Sequence, residues 1–296
     1  MQWMEVRNIK KEVDFLDYIK HKKKFIYIFI MLLLAVYVFI GFAQQSLILT
    51  VYNIASSAVP KGLDGYRIIQ ISDFHSGLFN ATTADVIKLI DEQTPDSIVL
   101  TGDIIDSEMR DFSAVEELIA GLTGVAPVYA VSGNNEKYKS SINATIESLY
   151  KKYGVQNLDN RTITIYGSGI ITLTGIADRG RARIDELDKE VLALKYGSDI
   201  SGFGILLYHR ANELDRLAEL KYDLILSGHL HGGILRLPFI GGVLSPDGEF
   251  CPRYSGGIYE SNGALLVSNR GIGNTYPIAR FYNPPEVVML VLNATQ

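Results

Sequence analysis

The sequence predicts an α/β fold behind a single helix long enough to cross a membrane. Three observations predict it. Residues 25–43 form an uncharged, almost wholly apolar run. From Gly65 onward, short β-like runs alternate with amphipathic helical stretches. Five short polar clusters each follow the end of an expected strand.

The 296 residues suit a short appendage and one large domain, and 47% of them are hydrophobic, enough for a large core. Cys251 is the single cysteine, so burial rather than an internal disulfide must hold the fold. The net charge of −5 is unevenly spread. Residues 1–24 carry seven Lys/Arg against four Asp/Glu, a surplus of three, which leaves −8 on the rest. An acidic domain argues against a nucleic-acid partner, whose binding rests on Lys and Arg neutralising phosphates.

As a helix, residues 25–43 would reach roughly 28 Å, close to a hydrocarbon core of about 30 Å. The run has no polar stripe of the kind a buried core helix shows. Lys20, Lys22, Lys23 and Lys24 abut its N-terminal end, and the stretch from Gln44 to Ala58 has no Lys or Arg. The positive-inside bias places residues 1–24 in the cytoplasm as a basic leader and the domain outside the cell membrane. A cleaved signal peptide is the competing reading, with Gly41-Phe42-Ala43 at the cleavage position, but run and leader are both long for one. Trp3, Val6, Ile9, Val13, Leu16 and Ile19 recur at near-helical spacing, so the leader is either a helix on the membrane surface or an ordinary one. Residues 44–62 read as a linker and 63–296 as the domain.

Within the domain, strands are expected at Tyr66–Ser72, Ser97–Thr101, Val128–Ser132, Phe203–Tyr208, Leu224–Ser227, Ala264–Ser268 and Val287–Leu292. Thr162–Ile165 and Ile170–Gly175 flank Gly167-Ser168-Gly169 as a hairpin. Helices are expected at Ala84–Glu92, capped by Thr82 or Thr83, at Ser141–Tyr153, ended by Gly154, at Ile184–Tyr196 and at Ala211–Leu220. Ser113-Ala114-Val115-Glu116 has the pattern of a capping box opening a further helix. Residues 232–257 are rich in Gly and Pro and read as an ordered loop region.

The five clusters are Asp73-Phe74-His75, Gly102-Asp103-Ile104-Ile105-Asp106, Gly133-Asn134-Asn135-Glu136, His209, and Gly228-His229-Leu230-His231-Gly232. Open α/β sheets place their ligand sites beyond the carboxyl ends of strands, so clusters distant in sequence can converge. Four of the five histidines lie in them. Asp, Asn and His offer oxygen and imidazole without thiolate, which suits Mn, Fe, Zn or similar divalent ions. Singly, each cluster reads as a turn or a cap; in order at successive strand ends, they read as a dinuclear centre.

Together these motifs resemble the calcineurin-like metallophosphoesterases, whose pattern is Asp-x-His, Gly-Asp-x-x-Asp, Gly-Asn-His-Glu/Asp, a lone His and Gly-His-x-His. The N-terminal apolar run, Leu63-Asp64-Gly65-Tyr66-Arg67-Ile68, Ser227 to Gly233 and Pro285-Glu286-Val287-Val288 look like the transmembrane branch. Some enzymes of that branch cleave UDP-2,3-diacylglucosamine, and others act on cell-envelope phosphoesters. The resemblance spans about Leu63 to Leu292. It implies a sandwich of two mixed β-sheets flanked by helices. It also implies two divalent metals, one held by Asp73, His75, Asp103 and His231, the other by Asp103, Asn134, His209 and His229. By the same resemblance Asp103 would bridge them, a hydroxide shared by the ions would attack phosphorus, and Asp106 would stand behind the ligands.

One position departs from the pattern. Asn135 stands where the family has a His thought to assist the leaving group, and an amide cannot supply a proton near neutral pH. The resemblance therefore implies a membrane-anchored phosphohydrolase acting on a phosphorylated small molecule or a lipid-linked precursor, in lipid or envelope metabolism. UDP-linked lipid precursors are cytoplasmic, however, while the charge bias points the domain outward. The alternatives are a nuclease or phosphodiesterase on the same site, and a catalytically weak metal-dependent sensor. Arg270 and Arg280, in Gly-rich C-terminal turns, are candidate substrate contacts, as are Arg179, Arg181 and Arg183.

Overall fold

The computed structural model describes residues 2–43, 46–75, 81–178, 200–273 and 280–295. The chain forms two compact units, 1–44 and 45–296. The first is one continuous helix, α1 (Gln2–Ala43), so leader and apolar run are a single element. Within it Lys20–Gly41 is long and apolar enough to cross a bilayer, with a mean hydropathy of 2.4.

The second unit holds two six-stranded sheets. The first has the order β1 (Ile48–Ser56), β14 (Glu286–Ala294), β2 (Arg67–Ile71), β3 (Ser97–Leu100), β4 (Val128–Ala130), β5 (Gln156–Asn157). The second runs β12 (Gly257–Ser261), β13 (Ala264–Ser268), β9 (Leu224–Gly228), β8 (Phe203–Arg210), β7 (Ile170–Ile176), β6 (Arg161–Tyr166). Both are mixed: β2, β3 and β4 are parallel, as are β7, β8 and β9, while β14 is antiparallel to β2 and β6 to β7.

Alternation along the strands builds the layers. In β14, Val287, Met289 and Val291 pack with the helices α2 (Thr83–Asp91), α3 (Ser113–Val125) and α5 (Ser140–Tyr153), while Val288, Leu290 and Leu292 face the space between the sheets. Ile68 of β2 and Val99 of β3 join that inter-sheet layer, with Phe203, Ile205, Leu224 and Leu226 from the second sheet. Leu206, Tyr208 and Ile225 point the other way, onto Leu214 and Leu217 of the short helix α6 (Leu214–Leu217). Strands buried on both faces read as continuous apolar runs, which is why most were visible in sequence.

Several expectations are corrected. Residues 48–56, read as linker, are β1, paired in parallel with β14 over nine residues. Ser113-Ala114-Val115-Glu116 is not a capping box. Ser113 is already helical behind Phe112, its N–H bonds Asp111, and Glu116 accepts instead from Lys152 and Tyr153 of α5. The true capping box is Thr82 with Asp85 at the start of α2. The helix expected over 211–220 is α6 between two 3-10 turns, stopped by Lys221 at φ 60°. The helix expected over 184–196 and Arg179, Arg181 and Arg183 lie outside the described residues.

Candidate metal centre

The clusters do converge. The turns that leave β2, β3 and β9 at their carboxyl ends, with His209 from the last residues of β8, bring six side chains into two adjoining groups. In the first, His75 Nε2 lies 3.1 Å from His231 Nε2, and Asp73 Oδ1 lies 3.4 Å from His231 Nε2 and 3.9 Å from His75 Nε2. In the second, His209 Nε2 lies 3.3 Å from Asp103 Oδ2 and 3.2 Å from His229 Nδ1. His209 Nε2 is also 3.9 Å from Asp73 Oδ1, so the groups abut. All six residues are buried.

Such an arrangement fits two cations and little else. Acceptor nitrogens face one another beside two buried carboxylates, a costly grouping unless positive charge lies between them. The outer ring nitrogens support this orientation. His209 Nδ1 donates to the Thr101 carbonyl at 2.8 Å, and His229 Nε2 donates to Asp247 Oδ2 at 2.7 Å. The Thr101 bond orients the His209 ring so that Nε2 faces inward, and the contacts at His229 Nε2 leave its Nδ1 facing His209. His75 Nδ1 is buried with no hydrogen-bond partner among the described residues.

The buried charges are partly balanced within the cluster itself. Burial opposes a charge on His209, but Asp103 outweighs it and pushes the imidazole up to about 10. Burial also works against the Asp103 carboxylate, yet His209 and His75 hold it well below the usual range. Burial pushes His231 down to about 3 and lowers His75 as well.

The backbone is strained where the ligand-type residues sit. Asp73, His75, Asp103, His229 and His231 all have positive φ, between 47° and 73°. Non-glycine residues rarely adopt this region, and clusters of such strain mark functional sites. Two glycines make the close approach possible. A Cβ on Gly102 (φ 93°) would meet His209 Nδ1 at 2.6 Å, and one on Gly228 would meet Ser72 Oγ at 1.9 Å.

The remaining expected residues are placed as follows. Asn134 opens the short helix α4 (Asn134–Tyr138), and its Oδ1 accepts from Arg210 Nη2 at 3.4 Å. Asn135 is turned onto Asp103. Asp106 accepts from the Glu108 N–H in its own turn. Arg270 is paired with buried Glu286 at 2.6 Å. Arg280 is buried, donating to the carbonyls of Arg270 and Gly273, with Nη2 3.5 Å from His231 Nδ1.

Sequence reasoning missed a supporting shell. Buried Glu136 accepts from the N–H groups of Asp103, Ile104, Ile105 and Gly133, tying the loop after β3 to the loop after β4. Burial and the charge of Asp103 push this carboxyl up to about 7. Arg210, directly after His209, bonds Asp178 at 2.6 Å and Asp247 at 3.0 Å, and its Nη1 lies 2.9 Å from His229 Nε2. Its position beside a metal-type histidine was the one signal available; Asp178 and Asp247 carried none.

The comparisons agree with this geometry. The family model described as calcineurin-like phosphoesterase matches residues 66–233. The metallophosphoesterase YkuE of Bacillus subtilis is 33% identical over 83% of this chain and 85% of its own. Phosphodiesterase YaeI of Escherichia coli is 28% identical over 77% and 82%. A transmembrane protein with metallophosphoesterase domain from Danio rerio is 26% identical over 75% of this chain and 52% of its own. With the matched segment running from the loop that holds Asp73 to the one that holds His231, the chain belongs to the calcineurin-like phosphoesterase family of metal-dependent phosphoester hydrolases.

Proposed function

We propose that this protein is a membrane-anchored phosphohydrolase that cleaves a diester or pyrophosphate in a lipid-linked or envelope precursor. The observation that carries the chemistry is the pair of abutting buried groups, Asp73–His75–His231 and Asp103–His209–His229. Two divalent ions bound there would supply an activated water and stabilise charge on the phosphoryl oxygens. Asp73, His75, His231 and Asp103 would hold one, and Asp103, Asn134, His209 and His229 the other. Asp103 would serve both, with Asn135 holding its carboxylate in place. Arg210 steadies the second group through Asn134 and Asp247.

Asn135 offers no acid for a poor leaving group, which favours an anhydride, whose phosphate departs without protonation, over an alkyl diester. A related protein bears the name phosphodiesterase, and another is named as transmembrane. Anchoring rests on the apolar length of Lys20–Gly41, and an outward-facing domain on the lysines at its N-terminal end.

The test uses the full chain loaded with Mn²⁺. It should bind two ions, one per group, and hydrolyse bis(p-nitrophenyl) phosphate, whereas Asp103→Ala should lose both metal and turnover. Full metal content with near-full activity in Asp103→Ala would overturn the assignment.

A further inference from the structure

The segment after His231 leaves the metal centre as two consecutive hairpins. The first joins β10 (Arg236–Leu237) to β11 (Gly241–Gly242). It turns through Leu237-Pro238-Phe239-Ile240, with Ile240 N donating to the Leu237 carbonyl at 3.2 Å. Pro238 stands at the second position of the turn and Phe239, at φ 68°, at the third. That third position favours glycine, the residue free to take positive φ. A phenylalanine occupies it, with its side chain fully in water at 108% relative exposure, and Ile240 beside it is 63% exposed.

The second hairpin pairs Leu244 with Phe250. Its turn carries Asp247, which reaches His229, while Phe250 is 74% exposed. One continuous segment thus supports the centre with a carboxylate and turns bulky apolar groups to solvent. Neither backbone preference nor solvation favours Phe239 where it stands. A residue that breaks both local rules marks a surface kept for contact.

We propose that Phe239, Ile240 and Phe250 form a docking tip that enters the interfacial layer of a lipid bilayer and presents the metal centre to phosphate groups at that surface. This rests on the anchored reading given above. The occupant is a bilayer for two reasons. Only residues 44–47 separate the end of α1 from β1, so the domain works within reach of any bilayer that holds α1. A few protruding side chains also expose far less than the roughly 800 Å² per partner that a stable protein interface buries, yet they suffice for interfacial insertion.

The test places the only tryptophan at the tip. In the full chain, Trp3→Phe removes the native fluorophore, and Phe239→Trp or Phe250→Trp introduces a probe. Tyr166→Trp, at the exposed β6–β7 turn, is the control. Each protein is reconstituted into phosphatidylethanolamine/phosphatidylglycerol vesicles with and without brominated acyl chains. Bromine should quench the tip probes about twofold and the control hardly at all. Equal quenching at tip and control overturns the proposal, as does a blue shift without bromine quenching, which would mean docking onto protein. Resistance to alkaline carbonate extraction, scored on the same vesicles, reports the α1 anchor separately. Protein that is retained but unquenched defeats the tip alone. Protein that is extracted defeats the anchor, and the quenching still decides the tip.

Discussion

Asn135 binds both carboxylate oxygens of Asp103: its backbone N–H donates to Oδ1 at 2.8 Å and its side-chain amide to Oδ2 at 2.6 Å. The amide oxygen accepts from Ser107 N, so the side chain is oriented from both ends. A residue standing where the family carries a histidine therefore faces the carboxylate proposed to serve both ions.

This contact sets the first prediction. Asn135→His should raise turnover of alkyl phosphodiesters far more than that of nitrophenyl esters or pyrophosphates. General acid assistance is worth about 10²–10⁴-fold where it operates, and only the alkoxide depends on it strongly. Parallel rate measurements on the three substrate types check it. A uniform change would assign position 135 to Asp103 alone.

Metal uptake should release a proton. His209, pushed up to about 10, holds its proton at neutral pH in the metal-free protein, whereas His75 and His231, both lowered, hold none. Coordination needs the neutral imidazole, so affinity for the ion at His209 should rise with pH by about tenfold per unit from pH 7 to 9 and level off near 10. Calorimetric titrations in buffers of different ionisation enthalpy count the proton directly. A pH-independent affinity over that range would contradict the assignment.

Asp247→Asn should weaken the second ion by about 10–100-fold, the usual cost of losing a carboxylate that orients a ligating histidine. The first ion should be little affected, because Asp247 is placed against His229 and Arg210 of the second group. Stepwise metal titration of wild type and variant separates the two affinities.

Protease added to intact spheroplasts should digest residues 45–296 and spare cytoplasmic proteins, given the lysines preceding the apolar run. Full protection would reverse the orientation and favour a cytoplasmic nucleotide-lipid substrate.

The centre was legible because each proposed ligand stands at a strand end, and strands buried on both faces announce themselves as apolar runs. Ser97–Leu100 and Leu224–Gly228 are such strands, and the glycines after them flag the turns. β1 was illegible for the opposite reason. It is an edge strand, only Ile54 is fully buried, and polar Thr50, Asn53 and Ser56 interrupt it. Asp178 meets Arg210, and Asp247 meets both Arg210 and His229, across 18 to 37 residues of chain, and no local spacing encodes such a meeting. The failed cap at Ser113 shows the same limit, since Glu116 was drawn away by α5, an element remote in sequence.

The pairing of β1 with β14 also governs where the domain can be severed from α1. A cut between residues 57 and 62 would leave the globule without its border strand and uncover the flank of β14, an open invitation to self-association. A cut between residues 44 and 47 would release an intact globule. Any natural shedding, and any attempt to make a soluble form, must therefore act within those four residues.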